Sequence, residues 1–475
     1  MPREYSSHDM TDLAFKSASQ LITGYRARRF SPVEALDAVL ARIERCEPKL
    51  NAFQRVDPRR ARRAAHASQE RWAKKKPCGL VDGVPIAIKD VTETRGWPTL
   101  NGSLAVDPAG PWNEDAIVVE RFRAHGAVLI GKTSTPEFAW ETTTQSALKG
   151  VTRNPWNPEW TPAGSSGGSA AAVASGMVHI ATGTDSGGSI RGPASFCNIV
   201  GFKPTFGRVP VWPPSPMLML EHCGPLARTV RDAALALQVM AGLDPRDGYA
   251  IQEPAPAFLP SLERGLRGLH IGYSPDLGVA RVDPAVRHSV GEARTVFSDL
   301  GARVSRVRLD LSAYLAVANT FYAVIAARLA RRLGRRRTRL RSPMLLEAAR
   351  AGAKCNVAEF MEAEAQRRDL RAQMARFHSH YDLLITPSAC VPPFACGRDD
   401  PPGWSARHTT RWMADTLAPF DLTGQPAISV PCGFTPNGGP VGLQIVGPVG
   451  ADALVLRAAR AFERAHPVGR ERPPL

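Results

Sequence analysis

Two serine-containing glycine turns carry the clearest chemical potential in this sequence. The first spans residues 164–169, the second lies within residues 182–191, and an Ala- and Val-rich segment joins them. Flexible linkers would not flank so apolar a segment, which we expect to be buried. Glycine turns held against buried structure present backbone N–H groups, and such groups suit an oxyanion. The pair of turns therefore indicates a site that stabilises negative charge on oxygen.

Three shorter patterns in the same region fail a physical test. Residues 126–133 match the P-loop pattern, but residues 127–130 are Ala-Val-Leu-Ile and predict a buried strand whose N–H groups are already paired. Residues 164–168 match the G-x-S-x-G nucleophile elbow, but residues 154–162 contain three prolines where that elbow needs a strand. The S-x-x-K match at 146–149 is short enough to occur by chance. An NTPase, an α/β-hydrolase and a β-lactamase-like enzyme are therefore not favoured.

The longer motifs together resemble those of the amidase signature family. The matching stretches follow one another through residues 80–450: 83–90, 131–133, 164–169, 184–193, 201–205, 424–431 and 442–447. The resemblance implies an α/β fold, a single α/β/α layered domain with a mixed central sheet and helical insertions. It also implies hydrolysis of a carboxamide through an acyl-enzyme, with no metal or organic cofactor.

The family's Ser–Ser–Lys triad maps by this resemblance onto Ser189, Ser165 and Lys89. Ser189 would be the nucleophile, and because an alcohol is a poor nucleophile at neutral pH it needs a base. Lys89 ends an apolar strand, where desolvation would lower its pKa from ~10.4 toward the working pH. Neutral Lys89 would take a proton from Ser165, which relays it from Ser189. The resemblance also implies a cis peptide bond at Ser165.

The resemblance further assigns the residues around the nucleophile. The oxyanion would be bound by the backbone N–H groups of four consecutive residues: Ser186, Gly187, Gly188 and Ser189. Asp185 and Arg191 would form a charged pair that supports this loop. Ala163 stands where the family usually has glycine and Ser186 where threonine is common, but neither change removes a catalytic group. His179 lies in an apolar stretch and is predicted to be a core residue.

Short apolar runs and helices alternate around these motifs, which is typical of α/β proteins. A helix is predicted to begin at residues 31–34, where a serine N-cap, a proline and a capping-box glutamate occur together. Strands are predicted at 84–88 and 127–130, and helices at 59–76, 116–125, 170–177 and 451–464. We expect one domain over residues 1–475: a helical segment (1–76), a catalytic core (80–310), a helical insert (311–380) and a C-terminal part of the core (381–475).

The composition sets limits on partners and location. The chain of 475 residues has 60 Lys and Arg against 44 Asp and Glu, a net charge of +16. Its densest basic cluster, Arg331–Arg339, lacks interleaved aromatic residues, so we expect a solvated surface and no nucleic-acid binding there. No apolar run is long enough for a membrane span, and no secretory signal is visible. We therefore expect a cytoplasmic protein whose 8 scattered cysteines are reduced thiols.

The main functional prediction is an amidase that converts a small-molecule carboxamide into a carboxylic acid and ammonia or an amine. The alternative is the A subunit of a tRNA-dependent Asp/Glu amidotransferase, which shares the same motifs. A second alternative is an inactive binding protein on the same fold. We predict that two segments form the pocket walls: the apolar, Met-rich residues 211–220 and the helical insert. Residues 211–220 could equally well pack in the core. The substrate and the assembly, including a homodimer, are left open.

Overall fold

The computed structural model describes residues 12–404 and 411–475. Residues 1–11 of the predicted N-terminal segment and residues 405–410 of the predicted C-terminal part lie outside the described residues. The main helices are α1 (Ala18–Arg26), α2 (Pro32–Leu50), α3 (Pro58–Ala73), α4 (Ile117–Ala124), α5 (Gly167–Ala174), α6 (Arg191–Phe196), α7 (Val230–Met240), α8 (Phe258–Ser261), α9 (Pro284–Ala293), α10 (Thr295–Asp299), α11 (Tyr314–Leu333), α12 (Pro343–Gly352), α13 (Val357–His378), α14 (Arg411–Leu417), α15 (Pro419–Leu422) and α16 (Asp452–Ala465). Short 3₁₀ turns cover Glu137–Ala139, Leu218–Leu220, Gly334–Arg339 and Val468–Arg470.

The strands build an eleven-stranded sheet and a separate two-stranded hairpin. They are β1 (Phe53–Val56), β2 (Pro85–Lys89), β3 (Val128–Thr133), β4 (Gln145–Ser146), β5 (Gly150–Val151), β6 (Ile180–Asp185), β7 (Val200–Lys203), β8 (His222–Ala227), β9 (His270–Tyr273), β10 (Arg303–Arg306), β11 (Leu383–Pro387), β12 (Ala427–Phe434) and β13 (Pro440–Val446). The sheet order is β1-β3-β2-β6-β8-β7-β12-β13-β11-β9-β10. β2 runs parallel to β3 and β6, whereas β6 and β8 are antiparallel, so the sheet is mixed. The predicted α/β fold is confirmed.

Helices cover both faces of the sheet, as alternate residues of β2 show. Ile86 and Ile88 belong to a buried cluster with α4, α7 and α16. Ala87 belongs to a different buried cluster, formed with α2, α3 and α5. Because successive side chains of a strand point to opposite faces, the two clusters lie on opposite sides of the sheet. This is the layered arrangement that the resemblance implies.

Local sequence rules account for the helix that was predicted from residue 31. The Ser31 hydroxyl accepts from the Glu34 amide at 3.2 Å, and the Glu34 carboxylate accepts from the Ser31 amide at 2.6 Å. This capping box starts α2 at Pro32. The strands and helices predicted at the other ranges also form, with ends that differ by a few residues.

The rejected patterns fail in the structure for the expected reason. The P-loop match falls on β3, which is buried along its whole length. No strand precedes the turn at 164–168, because residues 155–164 form turns and isolated bridges. Along the described ranges, no helix is both long and apolar enough to cross a bilayer.

The predicted helical insert packs over one end of the sheet. Phe321 of α11 and Leu370 of α13 join a buried cluster with Leu384 and Val446, which lie on the adjacent strands β11 and β13. The basic cluster Arg331–Arg339 ends α11 and continues through the 3₁₀ turn. The insert therefore brings α11 against the core.

Candidate active site

Lys89 is the last residue of β2, and its side chain is completely buried. Its Nζ lies 2.7 Å from the Oγ of Ser165 and 2.8 Å from the Oγ1 of Thr184. Thr184 stands near the end of β6, the parallel neighbour of β2. Because parallel strands end at the same edge of a sheet, the two strands place Lys89 and Thr184 together. The structure thus joins the predicted lysine directly to one of the two predicted serines.

Burial lowers the pKa of Lys89 to about 7, because an ammonium group removed from water loses its hydration. The negative charges of Glu221 and Asp185 oppose this shift. Burial raises the pKa of Glu221 in turn, and the charge of Lys89 opposes that change. A lysine that exchanges its proton near neutral pH has the property that a general base needs.

Ser165 stands in the turn before α5, and the Gly164–Ser165 peptide bond is cis, as the resemblance implies. The Ser166 amide donates to the Ser189 carbonyl oxygen at 3.2 Å, which ties the two serine turns together. Ser165 is buried, whereas Ser189 is only half-buried and can be reached from outside. Within residues 12–404 and 411–475 the Ser189 hydroxyl makes no hydrogen bond, so its link to Ser165 stays a prediction.

The predicted pair of Asp185 and Arg191 forms at the base of the second turn. The Arg191 Nε donates to Asp185 Oδ2 at 2.9 Å, and both side chains are fully buried. Arg191 Nη2 also contacts Asp421 at 2.7 Å, and its Nη1 donates to Gln444 Oε1 at 2.7 Å. Burial alone would raise the pKa of Asp185, but the Arg191 charge outweighs it and holds that pKa well below its usual range.

The structure corrects one of the four predicted oxyanion donors. The Gly188 amide already donates to Asp185 Oδ1, so it is not available to a substrate. The Ile190 amide donates to the other carboxylate oxygen of Asp185 at 3.1 Å. Among the described residues, the amides of Ser186, Gly187 and Ser189 have no acceptor. The sequence could not show this, because it does not reveal that the Asp185 side chain turns back into its own loop.

Three further residues belong to the site, and sequence reasoning gave none of them a role. Thr184 lay inside a matched motif and contacts Lys89. Glu221 follows the predicted pocket wall, and its carboxylate accepts from the Ser186 hydroxyl at 3.2 Å. Tyr322 of α11 donates from its Oη to the Ser186 carbonyl oxygen at 2.5 Å. No local signal marks Tyr322, since only the folding of the insert brings it to the loop.

A cavity of about 330 Å³ borders Thr184 and Glu221. Residues 211–217 form one wall, and Arg328 and Leu329 of α11 belong to another. Residues of the predicted 211–220 wall and of the helical insert thus border a cavity, and its role as the substrate pocket stays a prediction. The volume suits a small organic molecule.

His179 directly precedes β6 and is completely buried. Its Nε2 lies 3.1 Å from the Leu13 carbonyl oxygen, and burial lowers its pKa to about 3. It is a core residue, as predicted. The cysteines of the described residues are free.

The chain matches the Amidase family model over residues 34–456. It belongs to the amidase signature family. A solved member, a bacterial aryl acylamidase, superimposes with a TM-score of 0.88 at 30% identity, covering 97% of this chain and 99% of that one. The chain is accordingly an enzyme of the C–N bond-cleaving type found in this family.

Curated relatives among the amidase signature enzymes point to one subclass. The A subunit of the glutamyl-tRNA(Gln) amidotransferase of Methylococcus capsulatus is 37% identical over 482 residues, which cover 95% of this chain and 97% of the relative. The corresponding protein of Myxococcus xanthus is 37% identical over 498 residues, 98% of this chain and 100% of the relative. The solved Thermotoga maritima protein of the same name has a TM-score of 0.78 at 30% identity and covers 97% of this chain and 98% of that one.

These relatives overturn the main functional prediction, a free-standing amidase for small carboxamides. The alternative, the A subunit of a tRNA-dependent amidotransferase, is better supported. The motifs could not distinguish the two, because both classes of amidase signature enzyme carry the same catalytic motifs. The relatives named as subunits imply partner chains, which the main prediction of a free-standing amidase or homodimer did not include.

Proposed function

We propose that this chain is the amide-cleaving A subunit of an amidotransferase that acts on a glutamyl-tRNA. The observation that carries the proposal is similarity at 37% identity along 95% of the chain to a protein of that name. The contact of 2.7 Å between Lys89 and Ser165 supports a working site. An inactive binding protein would have no need of a lysine buried beside that serine.

In this mechanism neutral Lys89 withdraws a proton from Ser165, which takes the proton of Ser189. The Ser189 oxygen attacks the carbonyl carbon of a donor amide, and the negative charge on the carbonyl oxygen is met by the amides of Ser186, Gly187 and Ser189. The C–N bond then breaks, and the proton from the relay leaves with the nitrogen as ammonia. Water hydrolyses the remaining ester of Ser189 and regenerates the serine.

A partner chain would transfer a phosphoryl group from a nucleoside triphosphate to the side-chain carboxylate of the tRNA-bound glutamate, and the released ammonia would then displace phosphate to form the amide. The net charge of +16 is compatible with an assembly that holds a polyanion. The donor would be a small amide, since the cavity of about 330 Å³ at the site cannot hold a macromolecule.

The test is to isolate the tagged chain from its native cells with its associated chains and to assay the preparation on glutamyl-tRNA(Gln). With ATP and magnesium present, and with glutamine or asparagine as the amide donor, we expect glutaminyl-tRNA to form. In the Ser189→Ala preparation the product should appear only when ammonium chloride replaces the amide. A preparation with no partner chains and no product from either nitrogen source would overturn the proposal.

A further inference from the structure

A groove of about 830 Å³ runs along the helical insert, between α11, α12 and the start of α13. Its floor is apolar and includes Val324, Leu346 and Phe360. Beside the groove, α11 and α12 lie so close together that a Cβ atom on Gly352 would collide with the Ala323 carbonyl oxygen. This tight helix contact fixes the shape of the groove.

The charged side chains that border the groove are arginines: Arg328, Arg331, Arg337 and Arg350. In the part of the chain that the structure describes, no aspartate or glutamate lines it. Arg328 also borders the cavity beside Lys89, and the other three do not. The guanidinium groups of those three make no hydrogen bond or ion pair within residues 12–404 and 411–475. Because guanidinium groups form their strongest pairs with carboxylates, the groove suits an apolar surface that carries acidic groups.

The start of α13, residues 357–364, forms a ridge at one rim of the groove and has the complementary character. Val357 and Met361 are the most exposed large apolar side chains of the described residues, at 79% and 59%. They lie one turn apart, on the same side of the helix. The ridge contains three glutamates and no lysine or arginine. Among the described residues, the Glu362 carboxylate accepts a hydrogen bond from Gln366 at 3.0 Å and has no cationic partner.

The groove and the ridge lie side by side, so this face of the chain is complementary to itself. In a dimer with two-fold symmetry the same patch is used twice, and the ridge of each copy meets the groove of the other. The exposed pair of Val357 and Met361 would leave water, as is typical of an interaction surface. A nucleic-acid backbone would pair with the arginines but would leave those two apolar side chains in water.

We propose that the groove and the ridge form an interface between two copies of this chain. Each copy places Val357, Met361 and Glu362 against the groove of the other and receives the same residues between its own α11 and α12. The apolar side chains would shield the pairs of Glu362 with the groove arginines from water, which makes such pairs stronger than exposed ones. The inference goes beyond the proposed function, because it concerns neither the donor amide nor the tRNA.

The experiment co-expresses two full-length copies that carry different tags and isolates one tag, with any other chains that accompany it. Recovery of the second tag measures self-association, and we expect it for the wild type. The ridge variant Glu362→Arg and the groove variant Arg331→Glu/Arg350→Glu, each present in both copies, should lower recovery at least about tenfold. The physical reason is that like charges would face each other across the interface.

The decisive arm combines one ridge-variant copy with one groove-variant copy. One of the two symmetric contacts is then wild type and the other has exchanged charges, so recovery should return to near the wild-type level. Mixed copies that stay apart would overturn the inference. All the changed residues are exposed, and equal melting temperatures verify that the variants fold.

Two matched controls carry the same charge changes outside the interface. Glu347→Arg on α12 and Arg335→Glu/Arg339→Glu in the basic turn change exposed residues that do not border the groove. Both should keep wild-type recovery. No second copy with the wild type, equal recovery from all variants, equal losses in the controls, or recovery that ribonuclease removes would each overturn the inference. The readout needs neither ammonia release nor tRNA amidation, so failure of the proposed function leaves it standing.

Discussion

The Nζ of Lys89 lies 2.7 Å from the Oγ of Ser165, and both side chains are buried. A lysine in this position has lost its water, and the serine hydroxyl and Thr184 are its hydrogen-bond partners. The arrangement favours the neutral amine, the form in which a lysine can accept a proton.

The pH dependence of turnover should follow the protonation of Lys89. Burial lowers the pKa of Lys89 to about 7, and only the neutral form is a base, so kcat should rise with pH through about 7. Lys89→Ala should reduce kcat by about 10²- to 10⁴-fold. Lys89→Arg should fail almost as badly, because arginine cannot be deprotonated in a protein.

His179→Ala is the control for a histidine-based mechanism. It should lower the thermal stability while leaving the acid limb of the pH profile in place, since His179 packs in the core. Near-native turnover of Lys89→Arg with an unchanged acid limb would show that Lys89 is not the base.

Covalent labelling should identify the nucleophile. A serine-reactive fluorophosphonate is expected to label the wild-type protein and not Ser189→Ala, because Ser189 is the more accessible of the two serines of the predicted triad. Ser166→Ala should still be labelled, since the Ser166 hydroxyl is buried and the nucleophile-elbow pattern that would select it lacks its strand. Mass spectrometry of the labelled peptide decides between the two serines, and an unlabelled wild type would instead support the inactive binding protein.

The buried ion pair between Asp185 and Arg191 should contribute more to the free energy of unfolding than an exposed ion pair does. Asp185→Asn leaves the buried Arg191 with less compensating charge, so we expect the free energy of unfolding to fall by about 3 kcal/mol in urea denaturation. Asp244→Asn, which weakens the more exposed pair with Arg246, should cost less than about 1 kcal/mol. Equal effects of the two changes would contradict the role of Asp185.

The effect of pH on stability follows from the same pair. The pKa of Asp185 lies below its unfolded value in the folded protein. The stabilisation that the Asp185 carboxylate gives the folded protein is therefore fully present above its pKa in the unfolded chain, about 3.9. This stabilisation is lost as the pH falls through the lower pKa that Asp185 has in the folded protein. The difference in unfolding free energy between wild type and Asp185→Asn should stay constant from neutral pH down to mildly acidic pH.

Tyr322 should act as a positioning residue for the oxyanion loop. Tyr322→Phe removes the hydrogen bond to the Ser186 carbonyl oxygen while keeping the ring packed against Trp140. We expect kcat to fall by about 2- to 10-fold with little change in KM, because one hydrogen bond of ordinary strength is lost. Tyr249→Phe, at an exposed tyrosine, should change neither constant. A rise in KM with no change in kcat would instead indicate that Tyr322 contributes to substrate binding.

Local patterns and motif order were enough to predict the secondary-structure elements and the family. Capping residues at 31–34 and apolar runs such as 84–88 predict local structure because helix starts and strands depend on neighbouring residues. The order of the motifs placed Lys89, Ser165 and Ser189 in one family pattern. The motifs did not distinguish an amidotransferase subunit from a free-standing amidase, because the same residues serve both.

Which groups share the site, and which of them are free to bind a substrate, depends on contacts between distant segments. Tyr322 and Arg328 reach it because α11 folds back against the sheet, a contact between segments far apart in sequence. The Gly188 amide is engaged because the Asp185 carboxylate turns into the loop. Long-range packing and side-chain orientation set these relationships, and neither leaves a periodic or local mark in the sequence.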